Sequence, residues 1–253
     1  MIVSIYGMIS FLIIFVGYII QSSLLIVYFY YMKGKNNNNT NIKEWKIQHN
    51  KGNSSIGQLY LMPLFSNKPN RGPLHRFITT FNLIMASSFA LITTELTLKG
   101  YTGIQVTNVN DYGMYHIIQD FIIAVIFQSV IEYYWHRLMH IPFFYKYMHK
   151  YHHYYKSPEV YDDLYIHPIE AFGYYCILYG PPFVMQSLHL YSFILYMVVM
   201  GLCGVLDHSG VRVKIFSIYN TSDHDRHHSH FDVNYAFPFP FMDMIHGTYI
   251  RGS

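Results

Sequence analysis

Charge is scarce in this sequence. Only 12% of its 253 residues are charged, about half the share usual in a soluble domain, while 52% are apolar. Cysteine is scarcer still. Cys176 and Cys203 both lie in apolar stretches without CxxC spacing, which excludes a thiolate metal site or a disulfide framework and leaves buried, inert thiols as the expectation. The net charge is a mild +3 and the basic residues form no run interleaved with aromatics, so nucleic acid is not expected as a partner. No lysine or arginine precedes Lys33 and no small-residue cleavage site follows the first apolar run. An uncleaved membrane span is therefore expected there, not a removable signal peptide.

What is present in place of charge is long apolar runs. Residues 2 to 32 carry no charged side chain and exceed the roughly 20 residues a helix needs to cross a bilayer. Further spans are expected over Phe77 to Leu98 and Met114 to Trp135. The apolar region Ala171 to Leu206 is long enough for two short spans, broken by "GPP" at Gly180 to Pro182. The expected fold is an all-α, integral-membrane helical bundle of four or five spans. Residues 1–110 would hold the first spans and a loop, and residues 111–253 a domain with a helical, histidine-rich cap. The loop from Lys33 to Arg76 carries eight Lys/Arg against one acid, Glu44, which places it, and the histidine region two crossings later, in the cytosol. The Asn36 to Asn39 run reads as a disordered stretch, and the N-x-S/T triplets at Asn38, Asn53 and Asn220 are expected to stay unmodified on that side.

Twelve of the sixteen histidines fall between His136 and His230. Four motifs organise nine of them: "HRLMH" (His136, His140), "HKYHH" (His149, His152, His153), "DHSG" (His208) and "HDRHH" (His224, His227, His228). On a helix, positions i, i+3 and i+4 lie within about 100° of arc, so each HxxHH is expected to present three imidazoles on one face. At this histidine frequency an HxxxH pair arises about once by chance, but two HxxHH boxes only on the order of 0.002 times. The isolated His49, His75, His116, His189 and His246, and His230 just beyond a complete box, read as interfacial residues with satisfied hydrogen bonds. His167 in "HPIE" stands as a tenth candidate ligand.

Nine imidazoles exceed what one ion accepts, so two metals are implied, and nitrogen-rich ligation without thiolates suits iron or zinc better than magnesium or calcium. Glu132, Asp207 and Asp225 adjoin the ligands or share a helix face with them. They are candidates to accept ring N–H bonds; the alternative is ordinary pairing with Arg137 or Arg226.

From Glu132 onward the chain resembles the fatty acid hydroxylase/sterol desaturase superfamily. The resemblance covers about Tyr112 to Tyr249 and rests on "EYYWHRLMH", "HKYHH", "HPIE", "DHSG", "HDRHH" and "NYAFPFPFMDMIHGT". "DHSG" and "HDRHHSHFDVNYA" look most like cholesterol 25-hydroxylases, "HPIE" like C-4 methylsterol oxidases. The resemblance implies that the nine motif histidines are ligands, and that Asn234 holds a metal-bound water or orients a ligand. Gly204 stands where some members have a further ligand. It also implies a non-haem di-iron monooxygenase, with zinc as a possible substitute in a recombinant preparation, using O₂ and electrons from an external donor to oxidise a lipid C–H bond. A sterol is the first choice of substrate, and a fatty-acyl or alkyl lipid the alternative.

No HPGG-type segment or GxGxxG fingerprint occurs, so cytochrome b5 or a reductase in the same membrane is the implied donor, and the endoplasmic reticulum the implied location. Hydroxylation and desaturation stay unseparated at this point. From other classes, a metal transporter and an inactive lipid-binding homologue remain as alternatives. The first wants ionisable residues at mid-membrane, whereas most of these histidines lie just beyond span ends.

Overall fold

A computed structural model describes residues 3–34, 39–48, 71–216 and 218–252. His49, Asn36 to Asn38 of the asparagine run, and Asn53 lie outside the described residues. In chain order the helices are α1 (Ile5–Leu25, continued by a π-helical Ile26–Lys33), α2 (Asn39–Trp45), α3 (Pro73–Leu98), α4 (Val109–Tyr112), α5 (Met114–Met139) and α6 (Pro142–Phe144). There follow α7 (Pro168–Leu178), α8 (Pro181–Val184), α9 (Leu190–Asp207), α10 (Thr221–His230) and α11 (Phe241–His246). The only sheets among the described residues are two two-stranded pairs, β1 (Ile104–Gln105) parallel to β2 (Leu188–His189) and β3 (Lys214–Ile215) antiparallel to β4 (Tyr219–Asn220).

Among the described residues, four helices are long and apolar enough to cross a membrane: Ile5–Lys33, α3, α5 and α9. Their outer faces carry exposed Ile, Leu, Val and Phe, as lipid-facing surfaces do. Between α7 and α9 the chain returns along the bundle by a shorter route. α7 leaves the histidine side, and the chain emerges beside the far end of α3, where Gly103 N–H donates to the Pro182 carbonyl at 2.8 Å and β2 pairs with β1. Eleven residues of α7 rise only about 16 Å, so this route is completed by the proline-initiated α8 and a loop. The break falls at the "GPP" expected to turn the chain. Cys176 is exposed on α7 and Cys203 half-buried on α9, so the expectation of buried thiols fails for Cys176, which sits on the outer, apolar side of the bundle.

Close packing of α1 on α3 starts at their far ends. Ser4 caps α1, and its backbone N–H and hydroxyl both donate to Glu95. Gly7 lets α1 approach the Glu95 carboxylate, which a Cβ at that position would force to shift. At the other end the basic loop is tied to the segment following His208. Lys46 bridges Val211, Arg212 N–H donates to Trp45 O at 2.6 Å, and Trp45, Tyr30 and Val211 share a buried cluster. The described part of the loop, residues 39–48, and the histidines thus share one side of the bundle.

Candidate metal centre

α5 and α9 deliver their motif histidines at their C-terminal ends. His136 sits one turn before the end of α5, His140 caps it, and His208 caps α9. Pro142 follows at the start of α6, and the chain then tightens through a π turn, Tyr145–His149, and a 3-10 turn, His152–Tyr154. "HKYHH" is therefore not a regular α-helix. "HDRHH" is, on α10, whose start is capped by the Asn220 side chain accepting from Ser222 N–H.

All nine motif histidines converge, in two adjoining groups. His136, His140, His149, His153 and His227 form one, and His152, His208, His224 and His228 the other; within each, one ring nitrogen per residue lies within 4.8 Å of all the rest. The three imidazoles of each box do not all join the same group. In both HxxHH boxes positions i and i+4 stay together while i+3 crosses to the neighbouring group. On α10 the reason is geometric, since i and i+4 are separated by about 40° of arc but i+3 and i+4 by about 100°. Each box thereby ties the two groups together.

The Nε2 atoms face inward. Those of His140, His149 and His153 are mutually 3.0, 3.3 and 3.1 Å apart, and in the second group His224 is 2.9 Å from His208 and 3.2 Å from His228, with His208 3.5 Å from His152. Hydrogen bonding alone cannot satisfy the triangle. A protonated Nε2 only donates and an unprotonated one only accepts, so at least one of its three edges opposes like with like. Donors about 2.1 Å from one ion lie about 3.0 Å apart at right angles and about 3.4 Å apart tetrahedrally, which is the range observed. The Nε2 atoms of His136 and His227 are buried without a protein partner. The donor set fits a metal in each group.

Four rings are held by their other nitrogen. His136 Nδ1 lies 2.7 Å from the Tyr235 carbonyl, His227 Nδ1 2.7 Å from that of Val233 and His208 Nδ1 2.9 Å from that of Gly204. A carbonyl can only accept, so each Nδ1 carries the hydrogen and leaves the Nε2 lone pair for a metal. His149 Nδ1 is held instead by Glu170, at 2.5 Å. Burial, reinforced by the neighbouring imidazoles, holds the rings neutral: it drives His140 down to about 2 and puts His149, His152, His224, His227 and His228 well below the ordinary histidine range. His208 is lowered to about 4, burial prevailing over its bond to Gly204.

The expected carboxylate supports sit otherwise. Glu132 Oε1 is 3.8 Å from His136 Nδ1, whose hydrogen goes to Tyr235. Asp207 accepts from the Tyr219 hydroxyl at 2.7 Å, and Asp225 takes the Gln48 amide at 2.9 and 2.8 Å. Asn234 ties the C-terminal segment down, donating to the Asp223 and Ile250 carbonyls and accepting from Ile250 N–H. His167 lies outside both groups, where it caps α7 by accepting from Ile169 N–H. Glu170 is the supporting residue the sequence reading passed over, although it closes the "HPIE" motif.

Of the isolated histidines, His75 pairs with Asp162, His189 caps α9 and contacts the Thr107 carbonyl, His246 meets Tyr134 and Met242, His230 meets Ser229 and Arg226, and His116 packs on Tyr112 and Tyr115.

A cavity of about 600 Å³ opens between α1, α3, α5, α7 and α9, within the range of roughly 300–1,000 Å³ usual for small-molecule sites. Its walls are mainly apolar, and at one end it is bordered by His136, His149, His152, His208 and His224. Glu132 and Glu170, each with one buried carboxylate oxygen lacking a protein partner, border the same end. The arrangement can present an apolar molecule to two adjacent metals with little water.

Comparison with known proteins gives a consistent picture. The fatty acid hydroxylase family model matches residues 121–248, just over half the chain. The chain is 30% identical over 181 residues to a Delta(7)-sterol 5(6)-desaturase of Gibberella zeae, covering 66% of this chain and 54% of that one. It is 31% identical over 164 residues to lathosterol oxidase of Rattus norvegicus (62% and 54% covered) and 33% identical over 145 residues to sphinganine C4-monooxygenase 2 of Arabidopsis thaliana (53% and 56%). The chain thus spans about half the length of the curated relatives it matches. No solved structure matches it.

Proposed function

The chain belongs to the fatty acid hydroxylase family, and from that premise we propose that it is a membrane-bound di-iron oxygenase that hydroxylates a sterol. The observation that carries this reading is the apolar cavity ending on two groups of inward-facing imidazoles. Iron held by the two groups would supply O₂ activation. The balance is C–H plus O₂, two electrons and two protons to C–OH and water, with the electrons from an external donor, cytochrome b5 or a reductase in the same membrane. The chain's own part is to hold nine rings neutral with their Nε2 lone pairs turned inward, to exclude water with the α1, α3, α7 and α9 walls, and to aim one carbon at the histidine end. The excess of Lys/Arg in the loop on the histidine side supports a cytosolic orientation, in the endoplasmic reticulum.

A second reading, sterol desaturation, is favoured by the names of two relatives, the Gibberella zeae desaturase and the rat lathosterol oxidase. It uses the same hydrogen abstraction and ends in C=C and two waters. Untargeted lipid mass spectrometry on sterol-containing cells, with His152→Ala as control, tests both. A sterol gaining one oxygen supports hydroxylation and a sterol losing two hydrogens supports desaturation. An unchanged lipid profile from the metal-loaded protein with a reductase present contradicts both.

A further inference from the structure

The loop before α7 carries a polar pair that the histidine chemistry does not use. Asp163 lies in a 3-10 turn, Asp162–Leu164, inserted among α1, α3 and α9. The turn is held from behind: the Asn82 amide donates to the Leu164 and Ile166 carbonyls at 2.9 and 2.8 Å, and Asp162 is engaged by Arg71 and His75. That anchoring leaves Asp163 pointing the other way, where it accepts from the Tyr18 hydroxyl of α1 at 2.5 Å. Both side chains line the large cavity and are half-buried.

A carboxyl group in an apolar cavity wall is costly without a partner, and no lysine or arginine lines this cavity among the described residues. Tyr18 and the backbone N–H groups of Leu164 and Asp163 donate to the carboxyl, which with about four acceptor sites keeps room for a further partner. What remains suits a neutral group that can both donate and accept a hydrogen bond. We propose that the Tyr18–Asp163 pair is the subsite that binds the hydroxyl group of a lipid substrate, and so fixes which carbon reaches the histidines.

This inference rests on the reading of the cavity as the substrate site. Burial, partly offset by the bond from Tyr18, raises the Asp163 carboxyl to about 7, so near neutral pH it can donate to or accept from a hydroxyl. Position follows from the neighbouring turn of α1. The Gln21 amide reaches the Gly201 and Leu202 carbonyls, six or seven residues before His208, or about 10 Å along the helix axis. The Tyr18 backbone lies one turn of α1 farther from the histidine end.

The test is equilibrium binding to the purified full chain in lipid nanodiscs, with radiolabelled cholesterol, its 3-O-methyl ether, octadecanol and octadecyl methyl ether as probes. Binding requires no turnover, so the result stands apart from whether the protein oxidises a lipid. Wild-type protein is expected to bind one of the free alcohols about tenfold more tightly than its methyl ether, and the alcohol preferred identifies sterol or straight-chain lipid as the source of the hydroxyl. Tyr18→Phe and Asp163→Leu are expected to abolish that ratio, and Asp163→Asn to restore most of it. A purely structural role would weaken alcohol and ether alike and leave the ratio intact, which overturns the proposal, as does equal binding of alcohol and ether by the wild type. Thermal unfolding of Tyr18→Phe, the mildest variant, checks that the fold is retained.

Discussion

Replacing His152 with alanine removes one of the four imidazoles of the second group, whereas replacing His149, three residues away in the same box, removes one of the five in the first. The two groups share no ligand, so each substitution should strip one ion and spare the other. A four-ligand protein site contributes on the order of 10–16 kcal/mol of metal binding, or about 2.5–4 kcal/mol per ligand, so His152→Ala should weaken its site by roughly a hundred- to a thousand-fold. The His149 site, with four imidazoles left, should lose less. The assay is metal content per chain after dialysis against graded chelator. At a chelator concentration that leaves wild type fully loaded, each single variant should retain one ion per chain and the double variant none. If His152→Ala loses both ions at once while its thermal unfolding stays cooperative, the assignment of i+3 to the neighbouring group is wrong.

Three further outcomes follow from the same geometry. Glu170→Gln, which removes the carboxylate orienting His149, should weaken metal binding in the first group by about 10–100-fold and leave the second unchanged, as read by chelator competition. His167→Ala should keep the full metal content yet lose about 0.5–2 kcal/mol of stability with its helix cap, which thermal unfolding with metal analysis will show; loss of an ion would restore His167 as a ligand. Acid should destabilise the metal-free protein. The folded pKa of His208, about 4, lies below its unfolded value, so its contribution is complete above pH about 6.5 and is lost as pH falls, costing about 2 kcal/mol by pH 5. A melting temperature that stays flat between about pH 7 and pH 5 would contradict this.

Much of the architecture was legible in the sequence because bilayer thickness imposes a length on apolar runs. The expected Phe77 to Leu98 and Met114 to Trp135 spans correspond to α3 and α5, and the "GPP" break falls between α7 and α8. The extra turn of α5, to Met139, escaped hydropathy because it is polar and carries His136. The nine histidines were legible as a set, since their spacing is improbable by chance. Their division into two groups was not: it depends on the π and 3-10 turns around His149 and His152, which follow from local packing and leave no periodic signal. Carbonyl supports such as Tyr235, Val233 and Gly204 are invisible to any reading of side-chain types, because every residue has a carbonyl. Asp163 was hidden for a related reason. Its neighbour Tyr18 lies 145 positions away on another helix, and only the fold makes them a pair.

On the proposed reading, the two histidine groups place oxygen chemistry at the end of a lipid cavity. The most direct measurement is incubation of the iron-loaded protein with a reductase system and sterol-containing membranes under isotopically labelled O₂, followed by mass spectrometry of the lipids. Wild type is expected to form a sterol carrying one labelled oxygen atom, and His152→Ala none. A sterol that gains an oxygen without the label, or the same labelled product from the His152→Ala protein, would contradict it.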